Sequence, residues 1–154
     1  MGSTVGISLE HMKGILVFRL GIKYFCIDLE MLCAILNPKD TIVPAESLLP
    51  NQKIVFHGGV PYPLVDFGGL FGLELSPKSD LTQILVMEKG NRRVAFYVDC
   101  IEEIISFNRF VRESIKIKAA HDESPLLCEL ECEGRTFLMP EFGKIDSLVE
   151  IPYL

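Results

Sequence analysis

Short apolar runs, each closed by glycine, proline or a polar cluster, recur along the whole chain, and that rhythm predicts β-strands nearly throughout. Gly14 to Leu20 reads as a strand, Gly21-Ile22-Lys23 as a tight connection, and Tyr24 to Leu29 as the second arm of a hairpin. Glu30 to Leu36 fits a helical turn or a continuing strand equally well. Asn37-Pro38-Lys39-Asp40 is a loop, because Pro38 has no N–H for a ladder and the residue before it avoids helix. Thr41 to Pro44 suits a short strand and Ala45 to Asn51 a loop. Lys53 to Phe56 is a strand running into His57-Gly58-Gly59, where glycine permits a turn with positive φ. Val60 to Phe67 continues as a strand whose Pro61 and Pro63 point to an edge or a strand start. Gly68, Gly69 and Gly72 break the pattern, and Ser76 to Asp80 is a surface loop. Thr82 to Glu88 and Arg93 to Val98 form a hairpin across Lys89 to Arg92, followed by a strand or bend from Ile101 to Phe107. Phe110 to Ala120 is mixed, either loop or short helix. Leu126 to Glu131 and Arg135 to Met139 make a third hairpin around Cys132-Glu133-Gly134. The apolar spacing of Phe142, Ile145, Leu148 and Val149 is helical.

Many short strands with regular turn signals imply an all-β barrel or sandwich with short helices. The 154 residues suit one domain or two small lobes sharing a core, and 49% hydrophobic residues give ample material for it. Residues 1–12 are expected to be a flexible terminus and 13–154 a single domain. Pro63-Leu64-Val65-Asp66 and Phe96-Tyr97-Val98-Asp99 both end apolar strands in Val-Asp, an echo that hints at two related lobes.

A net charge of −6 with scattered basic residues argues against nucleic acid and anionic membrane as partners. No run reaches the roughly 18 apolar residues of a membrane helix, and the start lacks the pattern of a secretory signal, so a soluble cytoplasmic protein is expected. The five cysteines form no C-x-x-C pair, and Cys128 and Cys132 alternate with Leu130 on one strand face. Cys26, Cys33 and Cys100 lie in apolar stretches, and His11, His57 and His121 are far apart, so neither a disulfide framework nor a metal site is expected. Asp66 and Asp99 suit strand-end caps better than an acid–base pair. Gly58-Gly59 lacks the helix and lysine of a phosphate cradle. Cys128 and His121 have nothing to fix them together as nucleophile and base. Phe56, Phe67 and Phe71 suit core packing more than an exposed docking patch.

The order of these pieces resembles the CheW-like family, the coupling proteins of bacterial chemotaxis. Leu16-Val17-Phe18-Arg19-Leu20-Gly21, then Tyr24 and Ile27-Asp28, look like the family's opening hairpin. Val55 to Phe67 resembles the signature N-L-R-G-x-V-x-P-x-x-D-L, and Leu70-Phe71-Gly72-Leu73 resembles the segment after it. Val98-Asp99-Cys100-Ile101-Glu102-Glu103-Ile104 resembles a second signature, V-D-x-V-x-x-V, while Leu138-Met139 and Ile145 to Leu148 sit where the family closes. The similarity runs from about Ile15 to Val149.

The resemblance implies two SH3-like five-stranded barrel lobes packed around a shared core. It also implies a non-catalytic adaptor without cofactor, bridging a chemoreceptor's cytoplasmic tip and the regulatory domain of a CheA-type histidine kinase. The partner-binding positions it implies are Leu32, Ala34, Val55, His57, Gly58, Gly59 and Gly68. Here the sequence departs from the family's pattern: His57 replaces an arginine, Val55 an asparagine, Ala34 an acidic residue and Gly68 a polar or basic one. A permanent, bidentate cation becomes an imidazole at position 57, which bears on the receptor contact. Two readings follow, an adaptor with a different partner set or a sister protein keeping the kinase contact. A small-ligand-binding barrel and an enzyme are the alternatives from other classes; each requires polar groups converging in a pocket.

Overall fold

The computed structural model describes residues 11–38, 42–44, 53–73 and 80–149. The expected loop from Ala45 to Asn51, most of that from Ser76 to Asp80, and residues 1–10 lie outside the described residues. Described strands are β1 (Gly14–Leu20), β2 (Lys23–Asp28), β3 (Leu32–Leu36), β4 (Ile42–Pro44), β5 (Lys53–His57) and β6 (Val60–Leu64). They continue with β7 (Gln83–Lys89), β8 (Arg92–Val98), β9 (Cys100–Ser106), β10 (Lys116–Ala119), β11 (Leu126–Cys132) and β12 (Arg135–Pro140). Two short helices, α1 (Arg109–Ser114) and α2 (Phe142–Asp146), complete the set with 3-10 turns at Leu29–Met31 and Gly68–Phe71.

The strands form two sheets of six, ordered β10-β11-β12-β2-β1-β9 and β4-β5-β6-β8-β7-β3. Each is one strand larger than the expected five, with the short β10 and β4 at an edge. Both sheets have the same ladder: three antiparallel strands, one parallel joint, then three antiparallel strands. The parallel joints are single bridges, Leu138 to Phe25 and Leu64 to Ala95. The repeat runs in sequence too, but with an exchange. Hairpin β1–β2 sits in lobe one while β3 to β6 build lobe two; hairpin β7–β8 sits in lobe two while β9 to β12 complete lobe one.

Burial follows from this exchange. The exchanged strands are covered on both faces, so they are apolar at consecutive positions rather than alternating. Leu16, Phe18 and Leu20 of β1 face a shared core, while Ile15 and Val17 face the interior of lobe one. Likewise Leu85 and Met87 of β7 enter the shared core, and Ile84 and Val86 the interior of lobe two. The shared core centres on rings. Phe67 stacks on Phe96 at 4.3 Å between centroids, and Phe18, Phe25 and Phe71 pack around them at 5.2 to 5.9 Å. Helix α2 closes this core with Phe142 and Ile145.

Several ambiguous segments resolve. Glu30 to Leu36 divides into a 3-10 turn and β3, and Phe110 to Ala120 into the end of α1 and β10. Strand β6 stops at Leu64, and it is not an edge strand, contrary to the reading of its prolines. Pro61 and Pro63 oppose Phe56 and Ile54. In the alternating antiparallel pattern those are the pairs that exchange no bonds, so the missing N–H groups fall on the β8 side. There the ladder is a single bridge. Met12 is buried in lobe one, where its carbonyl accepts a bond from Arg112 at 2.9 Å.

Candidate functional site

The positions implicated by sequence fall at four places, mostly in lobe two. Val55 is fully buried inside that lobe with Tyr62, Ile84, Val86 and Ala95, and Ala34 of β3 packs against the same cluster. Leu32 instead packs against the shared core. The side chains of Val55 and Tyr62 lie within the lobe's interior.

One residue on, the strand presents its other face. Phe56 is 46% exposed opposite Pro61, and His57 at the strand end is exposed. His57 pairs with Val60, which leaves Gly58 and Gly59 as a two-residue turn with φ of 59° and 77°. Two consecutive positive φ angles define the type I′ hairpin, the form whose twist matches its strands and that glycine adopts without a Cβ clash. His57, Gly58 and Gly59 therefore form one projecting tip.

Gly68 lies apart, buried in the 3-10 turn. A Cβ there would meet the Leu73 carbonyl at 3.0 Å and Leu20 at 3.3 Å. The family's polar or basic side chain has no room at this position without a backbone shift. Asp66 caps the same turn by accepting the Gly69 N–H at 3.1 Å. A shallow groove of about 210 Å³ runs past Lys53, Leu64, Asp66, Gly68 and Tyr97. Of the three phenylalanines weighed as a patch, Phe67 and Phe71 belong to the shared core and Phe56 is exposed.

Asp99 behaves as Asp66 does. It is buried and accepts the Gly21 N–H at 2.7 Å, which ties β8–β9 to the tip of the first hairpin. The cysteines divide by environment. Cys26, Cys128 and Cys132 are buried in lobe one, and Cys33 is exposed on β3. Cys100 is half-buried and donates to Glu102 at 2.8 Å. Burial pushes the Cys26 thiol well up and that of Cys128 up to about 11, so both stay protonated and unreactive at neutral pH. Among the described residues no three His, Cys, Asp or Glu side chains are placed to hold a metal ion.

Sequence reasoning passed over the open end of lobe one, where Tyr24, Glu103, Arg135 and Phe137 meet. Arg135 donates two bonds to Glu103, and its guanidinium lies 5.1 Å from the Phe137 ring centre. Arg135 holds the Glu103 carboxyl below its ordinary pKa. The signal for this pairing was absent from the chain order, since β9 and β12 meet only across β1 and β2.

The comparisons agree with this geometry. The CheW-like domain family matches residues 14–127. The fold is shared with the crystal structure of scaffolding protein TtCheW from Thermoanaerobacter tengcongensis, at a TM-score of 0.66 and 18% identity, covering 84% of this chain and 89% of that one. No curated protein matches the chain. With the family matched across most of the strand-exchanged core, the chain belongs to the CheW-like family.

Proposed function

We propose that the chain is a non-catalytic scaffold of chemotaxis-type signal transduction, acting in the cytoplasm as one domain of two lobes over residues 13–154. It joins the regulatory domain of a CheA-type histidine kinase to a chemoreceptor's cytoplasmic tip. The observation that carries this reading is the family match over residues 14–127 on a fold shared with the scaffolding protein TtCheW. Local chemistry supports it. Asp66 and Asp99 are engaged with backbone N–H groups, and Cys26 and Cys128 are held as thiols. No helix of the described residues is long and apolar enough to cross a membrane.

The partner-facing part of this proposal is the β5–β6 tip, His57-Gly58-Gly59 with the outward Phe56. Val55 and Ala34 pack in the lobe interior that supports it, while Leu32 at the shared core and Gly68 in the 3-10 turn lie apart from it. An imidazole at the tip gives a weaker and shorter anchor for a carboxylate than a guanidinium does.

Calorimetric titration with the kinase regulatory domain from the same organism tests the reading. Micromolar binding, about −8 kcal/mol, is expected. Absence of heat together with absence of co-elution would remove the coupling role and leave the fold unaffected. His57→Arg is expected to leave kinase affinity unchanged and to strengthen binding to the receptor tip by about tenfold, the gain of one charge-assisted bond.

A further inference from the structure

The open end of lobe one is a cavity of about 380 Å³ that the scaffold reading leaves unused. Barrel mouths are common ligand sites, and this volume lies within the range of pockets that take small molecules. Beneath it lie the buried Val17 and Phe137, the latter capped by the Arg135 guanidinium, and the exposed ring of Tyr24 forms one side. Its rim carries both signs of charge, with Arg135 facing Glu102 and Glu103.

The two glutamates are neighbours in sequence, and neighbours on a regular strand point to opposite faces. Here both line the cavity. The cause is a β-bulge: Val17 pairs with Glu103 but Phe18 pairs with Ile101, so Glu102 is an extra residue in β9. Bulges re-aim side chains and recur next to binding sites. Asp99, just before β9, accepts the N–H of Gly21 in the turn that leads into β2.

The charges decide the ligand class. Glu102 is already engaged by Arg19 and Cys100, so a simple carboxylate would meet Glu103 beside Arg135, and a simple cation would meet Arg135 at close range. A zwitterion satisfies both, and the existing Arg135–Glu103 pair is half-exposed, so little is lost when it opens. We propose that the mouth of lobe one binds a free apolar α-amino acid, with its carboxylate on Arg135, its ammonium on Glu103 and its side chain against the exposed face of Tyr24.

The test is a titration of the full chain with L-leucine, followed by amide NMR. Leucinamide, which lacks the carboxylate, and 4-methylpentanoate, which lacks the ammonium, are run beside it. A ligand of this size should saturate with Kd of about 1 mM, with shifts centred on Tyr24, Glu103 and Phe137. Each analogue should bind at least about tenfold more weakly, as should L-leucine to Arg135→Gln and Glu103→Gln. Absence of saturable shifts up to about 10 mM, or equal binding of leucine and either analogue, would overturn the proposal. So would shifts centred on the β5–β6 tip or spread over the surface. If a variant loses its folded spectrum, the analogue comparison on the unaltered chain still decides.

Discussion

Asp99 fastens a hairpin turn that lies 78 residues away in sequence, through one bond of 2.7 Å to the Gly21 N–H. The Gly21 donor is half-buried, and a hydrogen bond of this kind contributes about 1 kcal/mol, so Asp99→Ala should destabilise by about that amount in urea unfolding. Asp99→Asn, which keeps an acceptor oxygen, should cost less. A loss below about 0.3 kcal/mol for the alanine variant would mean that water replaces the carboxylate. This capping role was legible from sequence, because Val-Asp at the end of an apolar run leaves the carboxylate beside unpaired backbone. The burial of Val55 was not. Ile54, Val55 and Phe56 are all apolar, and only the register against Tyr62 determines which of them faces inward. Cys33 shows the same limit, since it is the extra residue of a bulge in an edge strand, with Leu32 and Ala34 on either side packed into different clusters.

Elements were most legible where glycine marked a turn. The β5–β6 tip, where glycine was expected to permit positive φ, and the β7–β8 and β11–β12 turns, read as hairpins, all fall where expected, each with glycine at positive φ. The 3-10 turn after β6 was read only as a break, although it positions Phe67 and Phe71 in the shared core. Its fit is tight at Gly68, where a side chain presses on the Leu73 carbonyl. Gly68→Lys, the family-like residue, is therefore expected to destabilise by about 1–3 kcal/mol, as overpacked sites do. Thermal unfolding checks this; for a chain of this size the midpoint should fall by roughly 2–4 °C per kcal/mol. An unchanged midpoint would show that the turn moves freely. The prolines of β6 misled because their rule assumes a full ladder on both sides. A strand joined to one neighbour by a single parallel bridge relaxes that rule.

At the scale of the molecule, neither half of the chain contains a complete sheet. Hairpin β1–β2 needs β9 and β12 beside it, and hairpin β7–β8 needs β3 and β6. The echo of Val65-Asp66 and Val98-Asp99 hinted at two lobes, but no local pattern discloses which lobe receives each hairpin. Long-range pairing of this kind is set by the burial of both strand faces, a property of the assembled core. Fragments 1–76 and 77–154 should each show no cooperative unfolding alone and should regain a single transition by circular dichroism when mixed. A cooperative transition in either fragment by itself would contradict the exchange as the source of stability.

The two parallel joints carry a mechanical consequence. Because each half of the polypeptide is stitched into both lobes, a force that pulls the lobes apart must shear whole ladders rather than bend a linker. The molecule then behaves as a rivet. A displacement imposed at one lobe reaches the other as a rigid rotation, with little slack to absorb it, and whatever the two lobes grip is held at a fixed angle.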